Sequence, residues 1–147
     1  AQAKTIAHAL GERWPKKKES IDRKLAALLA DLSTLDEGFM AAATRLRGRQ
    51  LVYSHPVYQY FERRYGLPGV SLHWEPDLMP SEDQWRELQR LNPSDVLFIW
   101  EAKPITEIAD RMRESGIEFV ILDPGANQRE NDWMTVQQEN LLRLSPE

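Results

Sequence analysis

Residues 51–67 are Leu-Val-Tyr-Ser-His-Pro-Val-Tyr-Gln-Tyr-Phe-Glu-Arg-Arg-Tyr-Gly-Leu. A short apolar run ends at Ser54 and His55, and a helix is predicted to start at once with Pro56 and to end at Gly66. The imidazole of His55 then lies at the carboxyl end of a strand, which is where open α/β sheets bind ligands. The stretch therefore predicts an α/β fold and one candidate site residue.

The chain beyond Gly48 repeats this alternation of strand and helix. Strands are predicted at 51–53, 70–73, 96–100 and 119–122, and Ser81-Glu-Asp-Gln84 is a capping box at the start of a helix. Alternation of this kind gives a four-stranded parallel sheet with right-handed crossovers, for example in the order 2-1-3-4. The predicted fold class is α/β, with helices on both faces of the sheet.

Two helices are predicted before Gly48. The first covers residues 2–13 and is stopped by Pro15, and in the second, apolar residues recur every three or four positions from Ile21 to Leu46. A helix of roughly 27 residues spans about 40 Å, which is more than the cover of a four-stranded sheet requires. It is either a packing or coiled-coil helix or a strut between two lobes.

The composition excludes several classes of protein. The 147 residues are 41% hydrophobic and 29% charged, as in ordinary soluble domains, and the net charge of −4 argues against nucleic acid as a partner. No run of 18 apolar residues is present, and the absence of cysteine excludes disulfides and thiolate metal sites. Nucleophile-elbow, HExxH and phosphate-loop motifs are also missing, so an enzyme is not expected.

Each predicted strand is followed by a side chain that can bind a metal. These residues are His55, Glu75, Glu101 and Asp123. In a parallel sheet all four strand ends lie at one edge, and one imidazole with carboxylates suits zinc or manganese. The alternatives are that His55 caps a helix, that the two glutamates are surface acids, and that Asp123 bonds its own backbone in a turn. His73 is predicted inside a strand, in the core or at an interface.

The order and spacing of several motifs resemble the zinc and manganese substrate-binding proteins of bacterial ABC importers, over nearly the whole chain. In that family a Ser-His-Asp or Ser-Glu-Gly triplet precedes an aromatic helix, and residues 54–56 and 58–67 are similar to it. The run 98–104 resembles the family's third-strand motif, and 133–141 resembles its closing helix. Residues 19–47 look like the helix that joins the two lobes in the family.

The resemblance implies the C-terminal lobe of a periplasmic or extracellular metal receptor, associated with the membrane through an ABC permease. Residues 1–48 would be the last helix of a preceding lobe plus the long backbone helix, and 49–147 the metal-binding lobe. The ion would be zinc, with manganese as the alternative. His55 and Asp123 would be ligands, and Glu75 and Glu101 would bind the ion or orient His55.

Two departures from the family pattern shape this expectation. Pro56 replaces the usual acid after the histidine, and the family's further histidines come from a first lobe for which this sequence has no room. We therefore expect this chain to supply only half of the family's metal ligands and to bind zinc weakly. We also expect either a separate N-terminal lobe or self-association to cover the long helix. The alternative is a truncated, metal-free relative that acts as a protein-interaction module through the exposed face of that helix.

Overall fold

The computed structural model describes residues 2–126 and 131–145. The helices are α1 (Gln2–Arg13), α2 (Lys18–Leu46), α3 (Gln59–Tyr65), α4 (Glu82–Gln89), α5 (Thr106–Glu114) and α6 (Trp133–Arg143). The strands are β1 (Gln50–Tyr53), β2 (Gly69–Ser71), β3 (Val96–Trp100) and β4 (Glu118–Ile121), and short 3-10 turns lie at Pro15–Lys17 and Pro93–Asp95. The chain divides into two compact units, Ala1–Gly38 and Phe39–Glu147.

The four strands form one parallel sheet in the order β2-β1-β3-β4, which confirms the predicted α/β class and the order 2-1-3-4. All five residues of β3 are buried. Its sequence, Val-Leu-Phe-Ile-Trp, is apolar throughout because a central parallel strand is covered on both faces. Because all four strands are parallel, their carboxyl ends lie at the same edge of the sheet.

One face of the sheet is covered by α4 and α5. Alternate strand residues meet the apolar sides of these helices in a single core cluster, made of Val52, Trp74, Trp85, Leu88, Val96, Phe98, Trp100, Ile108, Met112 and Ile117. The predicted capping box starts α4: Ser81 Oγ accepts the Gln84 N–H, and the Gln84 side chain accepts the Ser81 N–H. This reciprocal pair satisfies two amides that the helix itself leaves without partners.

The opposite face carries the other alternate strand residues, which are buried in β1 and β3. The ring of Tyr53 lies 5.1 Å from that of Tyr58, and its hydroxyl donates to the carbonyl of Leu67. At the end of α2, Phe39 packs edge-on against Phe61 of α3, with ring centroids 5.4 Å apart. Aromatic contacts therefore hold the connection between β1 and β2 against this face.

The long helix α2 has 29 residues, close to the predicted span, and at 1.5 Å per residue it is about 43 Å long. In the unit Ala1–Gly38, α1 and the first part of α2 border a groove of about 450 Å³ whose lining is almost entirely apolar. Ile6, Leu10 and Leu28 in this groove are between 38% and 59% exposed. None of the helices among the described residues is long and apolar enough to cross a bilayer.

Several predicted boundaries differ from the observed ones by one residue, and three differ by two or more. The helix predicted at Pro56 begins at Gln59, because the Val57 N–H bonds back to the His55 carbonyl and closes a three-residue turn first. Helix α5 begins at Thr106 rather than at Pro104. Strand β2 ends at Ser71, so His73, predicted inside a strand, lies beyond it and is exposed.

Candidate metal centre

The strand register brings three polar side chains into one row at the carboxyl edge of the sheet. Tyr53 pairs with Ser71 on β2 and with Ile99 on β3. Counting two residues onward from each gives His55, His73 and Glu101 as the next side chains of the same row. Because side chains alternate along a strand, residues in one row emerge on the same face.

Backbone hydrogen bonds continue past the last strand residues and keep this register. The Leu72 N–H bonds to the Tyr53 carbonyl at 2.8 Å, and the Trp74 N–H bonds to the Ser54 carbonyl at 3.1 Å. On the other side, the Ser54 N–H bonds to the Ile99 carbonyl at 2.8 Å. The segments that carry the candidate ligands are thus extensions of the sheet rather than independent loops.

His55 lies between two carboxylates. Its Nε2 is 3.2 Å from Glu75 Oε1, and its Nδ1 is 3.2 Å from Glu101 Oε1. One ligand atom from each of the three residues lies within 4.8 Å of the others, which is a grouping that can hold a metal ion. The side chains of His55 and Glu101 are 17% and 24% exposed, whereas that of Glu75 is 56% exposed, so an ion would enter from the Glu75 side.

The two ring nitrogens of His55 differ in their surroundings. Nδ1 is buried and, despite its distance to Glu101, makes no hydrogen bond of good geometry with any described residue. A neutral imidazole has one N–H and one lone pair, so a single ring can donate to one carboxylate and offer its other nitrogen to an ion. A carboxylate behind a ligating histidine fixes the orientation of the ring. Glu101 lies beside Nδ1 of His55, and Glu75 lies beside Nε2.

Ser54 connects the segments that carry these residues. It is fully buried, and its Oγ accepts the backbone N–H of Glu101 at 3.2 Å. Its carbonyl accepts the Trp74 N–H, one residue before Glu75. The position of each glutamate relative to His55 therefore depends on the residue that immediately precedes that histidine.

Trp74 fixes the β2 side of the group. Its side chain is 3% exposed and contacts the rings of Trp85 and Phe98, with centroid distances of 5.0 Å and 5.4 Å. Because neighbouring side chains in an extended segment point to opposite faces, burial of Trp74 directs His73 and Glu75 away from the core. The sequence Leu72-His-Trp-Glu75 thus places two potential ligands on one side.

Asp123 lies outside the group of His55, Glu75 and Glu101. In the β3–β4 register, Trp100 pairs with Ile121, so the residue opposite Glu101 is Leu122. Asp123 Oδ1 accepts the Gly125 N–H at 2.8 Å, which is the turn arrangement weighed above as an alternative. Its role as a metal ligand stays a prediction.

Tyr58 lies close to both acids at this edge. Its hydroxyl donates to the Leu122 carbonyl at 2.5 Å. Burial raises the pKa of Tyr58 well above its usual value, and the nearby charges of Glu101 and Asp123 raise it further. The phenol therefore stays protonated, and it links the turn after β1 to the end of β4.

The sequence interpretation missed the position of His73. Its ring lies 5.9 Å from that of His55, at an interplanar angle of 86°. His73 follows His55 by 18 residues, which is the offset between paired residues of β1 and β2. The spacing of 18 residues points to a contact only when the register between β1 and β2 is known. Apolar patterning does not give that register, because it depends on the lengths of the turns.

Comparison with known proteins identifies the family. The model of "Zinc-uptake complex component A periplasmic" (ZnuA) matches residues 1–144. This chain belongs to the ZnuA family. The family consists of zinc-binding transport receptors rather than enzymes, as the absence of catalytic motifs predicted.

Individual relatives agree with this assignment. The zinc-binding lipoprotein AdcA of Streptococcus pneumoniae R6 is 25% identical over 149 residues, which cover 95% of this chain and 30% of AdcA. The Zn(II)-bound ZnuA-like domain of S. pneumoniae AdcA has the same fold, with a TM-score of 0.80, 23% identity and coverage of 92% of this chain and 55% of that domain. The metal-dependent lipoprotein YcdH of Bacillus subtilis superposes with a TM-score of 0.83 at 20% identity, covering 94% and 56%. This chain spans about a third of AdcA and just over half of each of these structures.

Proposed function

We propose that this ZnuA-family chain is the C-terminal metal-binding lobe of a periplasmic or extracellular receptor that passes zinc to an ABC-type membrane permease. The observation that carries the proposal is the group of His55, Glu75 and Glu101 at the carboxyl ends of adjacent parallel strands. Family membership supports zinc as the cargo. The division into 1–48, as the end of a preceding lobe with the backbone helix, and 49–147, as the metal lobe, is part of the same proposal.

The spacing of the donor atoms suits zinc. Zinc bonds to nitrogen and oxygen are about 2.0–2.2 Å long, so two ligand atoms on a tetrahedral ion are roughly 3–4 Å apart. The 3.2 Å between His55 Nε2 and Glu75 Oε1 falls in this range. An imidazole donor favours zinc over manganese, which prefers carboxylate and water ligands and binds mixed sites more weakly.

Within this proposal, His55 and Glu75 bind the ion and Glu101 orients the imidazole. Asp123 is a further candidate ligand, although one of its carboxylate oxygens, Oδ1, accepts the Gly125 N–H. Binding weakens in mild acid, since an imidazole must lose its proton before it can bind zinc.

Calorimetric titration of zinc into the wild type, His55→Ala and His8→Ala tests the proposal. His8 lies on α1 and is exposed, so its replacement is the matched control for loss of a surface histidine. We expect weak binding by the wild type and by His8→Ala, and a loss of at least about tenfold for His55→Ala. Identical isotherms for the wild type and His55→Ala would remove His55 from the site.

The second candidate function is a metal-free interaction module. The apolar groove between α1 and the first part of α2 favours it, because exposed apolar grooves mark interaction sites. Self-association would bury Ile6, Leu10 and Leu28 in that groove. Sedimentation at several concentrations tests this candidate, and Leu10→Glu should abolish any dimer. A clean monomer at high concentration would count against it.

A further inference from the structure

We infer that His73 is a second imidazole ligand of the ion held by His55 and Glu75, so that this lobe alone supplies a His2Glu site. The inference rests on the proposed function, because it concerns the same ion. Neither the family assignment nor the group of His55, Glu75 and Glu101 includes His73. Its support comes from the separation of the two rings, the register of the sheet and the exposure of the side chain.

The distance between the rings is the first argument. A zinc ion bound to an imidazole nitrogen at about 2.1 Å lies about 3.2 Å from the ring centre, so two imidazoles on one tetrahedral ion have centres roughly 5–6 Å apart. The rings of His55 and His73 are 5.9 Å apart. A modest rotation of the exposed His73 side chain is therefore enough to point a nitrogen at an ion beside Nε2 of His55.

The backbone around His73 is the second argument. The hydrogen bonds of Leu72 to Tyr53 and of Trp74 to Ser54 hold the residues on either side of it against the β1 segment. Burial of Trp74 turns His73 toward the side that also carries Glu75. Because the backbone of His73 is already ordered by these bonds, only the rotamer freedom of its side chain is lost when it binds an ion.

The resulting donor set has a functional meaning. Three protein ligands of the His2Glu type leave one position on a tetrahedral zinc ion open to water or to an incoming ligand. Closed sites with four protein ligands hold zinc structurally, whereas an open position lets the ion exchange. Two nitrogen donors also raise the preference for zinc over manganese relative to a site with one.

The alternative is that His73 only packs against His55, since edge-on contacts between aromatic rings at 4.5–7 Å are common. Two substitutions separate the possibilities. His73→Phe keeps a flat ring of similar reach but has no nitrogen to bind an ion. His73→Asp removes the ring and restores a donor that manganese tolerates better than zinc does.

Zinc and manganese affinities of the wild type, His73→Phe, His73→Asp and the control His8→Ala decide the matter, with circular dichroism used to confirm that each variant is folded. We expect His73→Phe to lose at least about tenfold in zinc affinity, which is the loss that even supporting groups of metal sites cause. His73→Asp should recover part of this affinity and bind manganese better relative to zinc than the wild type does.

The results that would overturn the inference are equally specific. Zinc binding that depends on His55 but is unchanged in His73→Phe would show that His73 only packs, and would leave the proposed function intact. Equal losses in His73→Phe and His73→Asp, with no change in the preference between the two metals, would also overturn it. A wild type that binds no zinc would overturn both the inference and the proposed function.

Discussion

The two halves of the sheet's carboxyl edge hold their polar side chains in different ways. Across β2, β1 and β3, hydrogen bonds continue beyond the strands, and His73, His55 and Glu101 follow one another in a single row. At the end of β4, Asp123 turns into its own backbone and is held there by helix α6. The difference shows that a shared edge is not sufficient for side chains to converge, because register decides which of them meet.

The anchors beneath the two halves also differ. Trp74 supports the β2 side with a fully packed indole ring. On the β4 side, Asn140 is 2% exposed and holds the backbone of Asp123 by two hydrogen bonds, one to its N–H at 3.0 Å and one to its carbonyl at 2.7 Å. The β2 side of the edge is thus stabilised by burial of an apolar ring, and the β4 side by hydrogen bonds from a buried amide. Substitutions can test each side separately.

The largest effect is expected for Trp74→Ala. Removing a buried indole should lower the free energy of unfolding by about 3–5 kcal/mol, because a cavity is left beside Trp85 and Phe98. The matched control is Trp133→Ala on the β4 side, where the indole is 49% exposed and the loss should be much smaller. Urea denaturation measures both. Equal losses would show that the two halves do not differ in this way.

An intermediate effect is expected for Asn140→Ala. The substitution removes two hydrogen bonds of the Asp123 backbone, one at its N–H and one at its carbonyl, while the longer bond from Gln137 to that carbonyl remains. The loss should cost about 2 kcal/mol of stability in urea denaturation. The exposed Asn131→Ala serves as its control. Zinc affinity measured in parallel should stay within about twofold of the wild type. The group of His55, Glu75 and Glu101 lies at the other half of the sheet edge, away from Asn140. A loss of zinc affinity as large as that of His55→Ala would show that Asp123 belongs to the site and that the two halves of the edge do not act separately.

The smallest effect on stability is expected for Ser54→Ala, at about 1 kcal/mol, because a single hydrogen bond to the Glu101 N–H is lost. The zinc affinity of Ser54→Ala should fall several-fold, because Glu101 is no longer held beside the His55 ring. Ser33→Ala, on the exposed surface of α2, is the control. Unchanged zinc affinity in Ser54→Ala would mean that Glu101 does not orient the imidazole.

The elements that sequence predicted well are those set by apolar spacing. Strand β3 was placed at its observed bounds because its five apolar residues are bounded by turn residues on one side and a charged residue on the other. The capping box of α4 was predicted for a local reason, since Ser81 and Gln84 satisfy each other within one turn. The observed sheet order, 2-1-3-4, was the example given among the orders that right-handed crossovers allow.

The features that sequence did not predict depend on geometry between distant segments. The late start of α3 comes from the turn at His55 to Val57, and the short β2 leaves His73 outside the strand. The role of Ser54 as a link to Glu101 joins residues 47 positions apart. Local patterning contains no information about such contacts. The parallel strands predicted only a shared edge, and the grouping of His55, Glu75 and Glu101 became visible in the structure.

The tryptophans behind the metal group give the protein a built-in optical reporter. Trp74 stands between His73 and Glu75, and Trp100 directly precedes Glu101, with the two indole rings 6.3 Å apart. Indoles this close exchange excitation energy, so their emission and their near-ultraviolet circular dichroism are sensitive to small changes in their separation and angle. An ion that draws the neighbouring side chains together would shift both signals, and binding could be followed on the unlabelled chain.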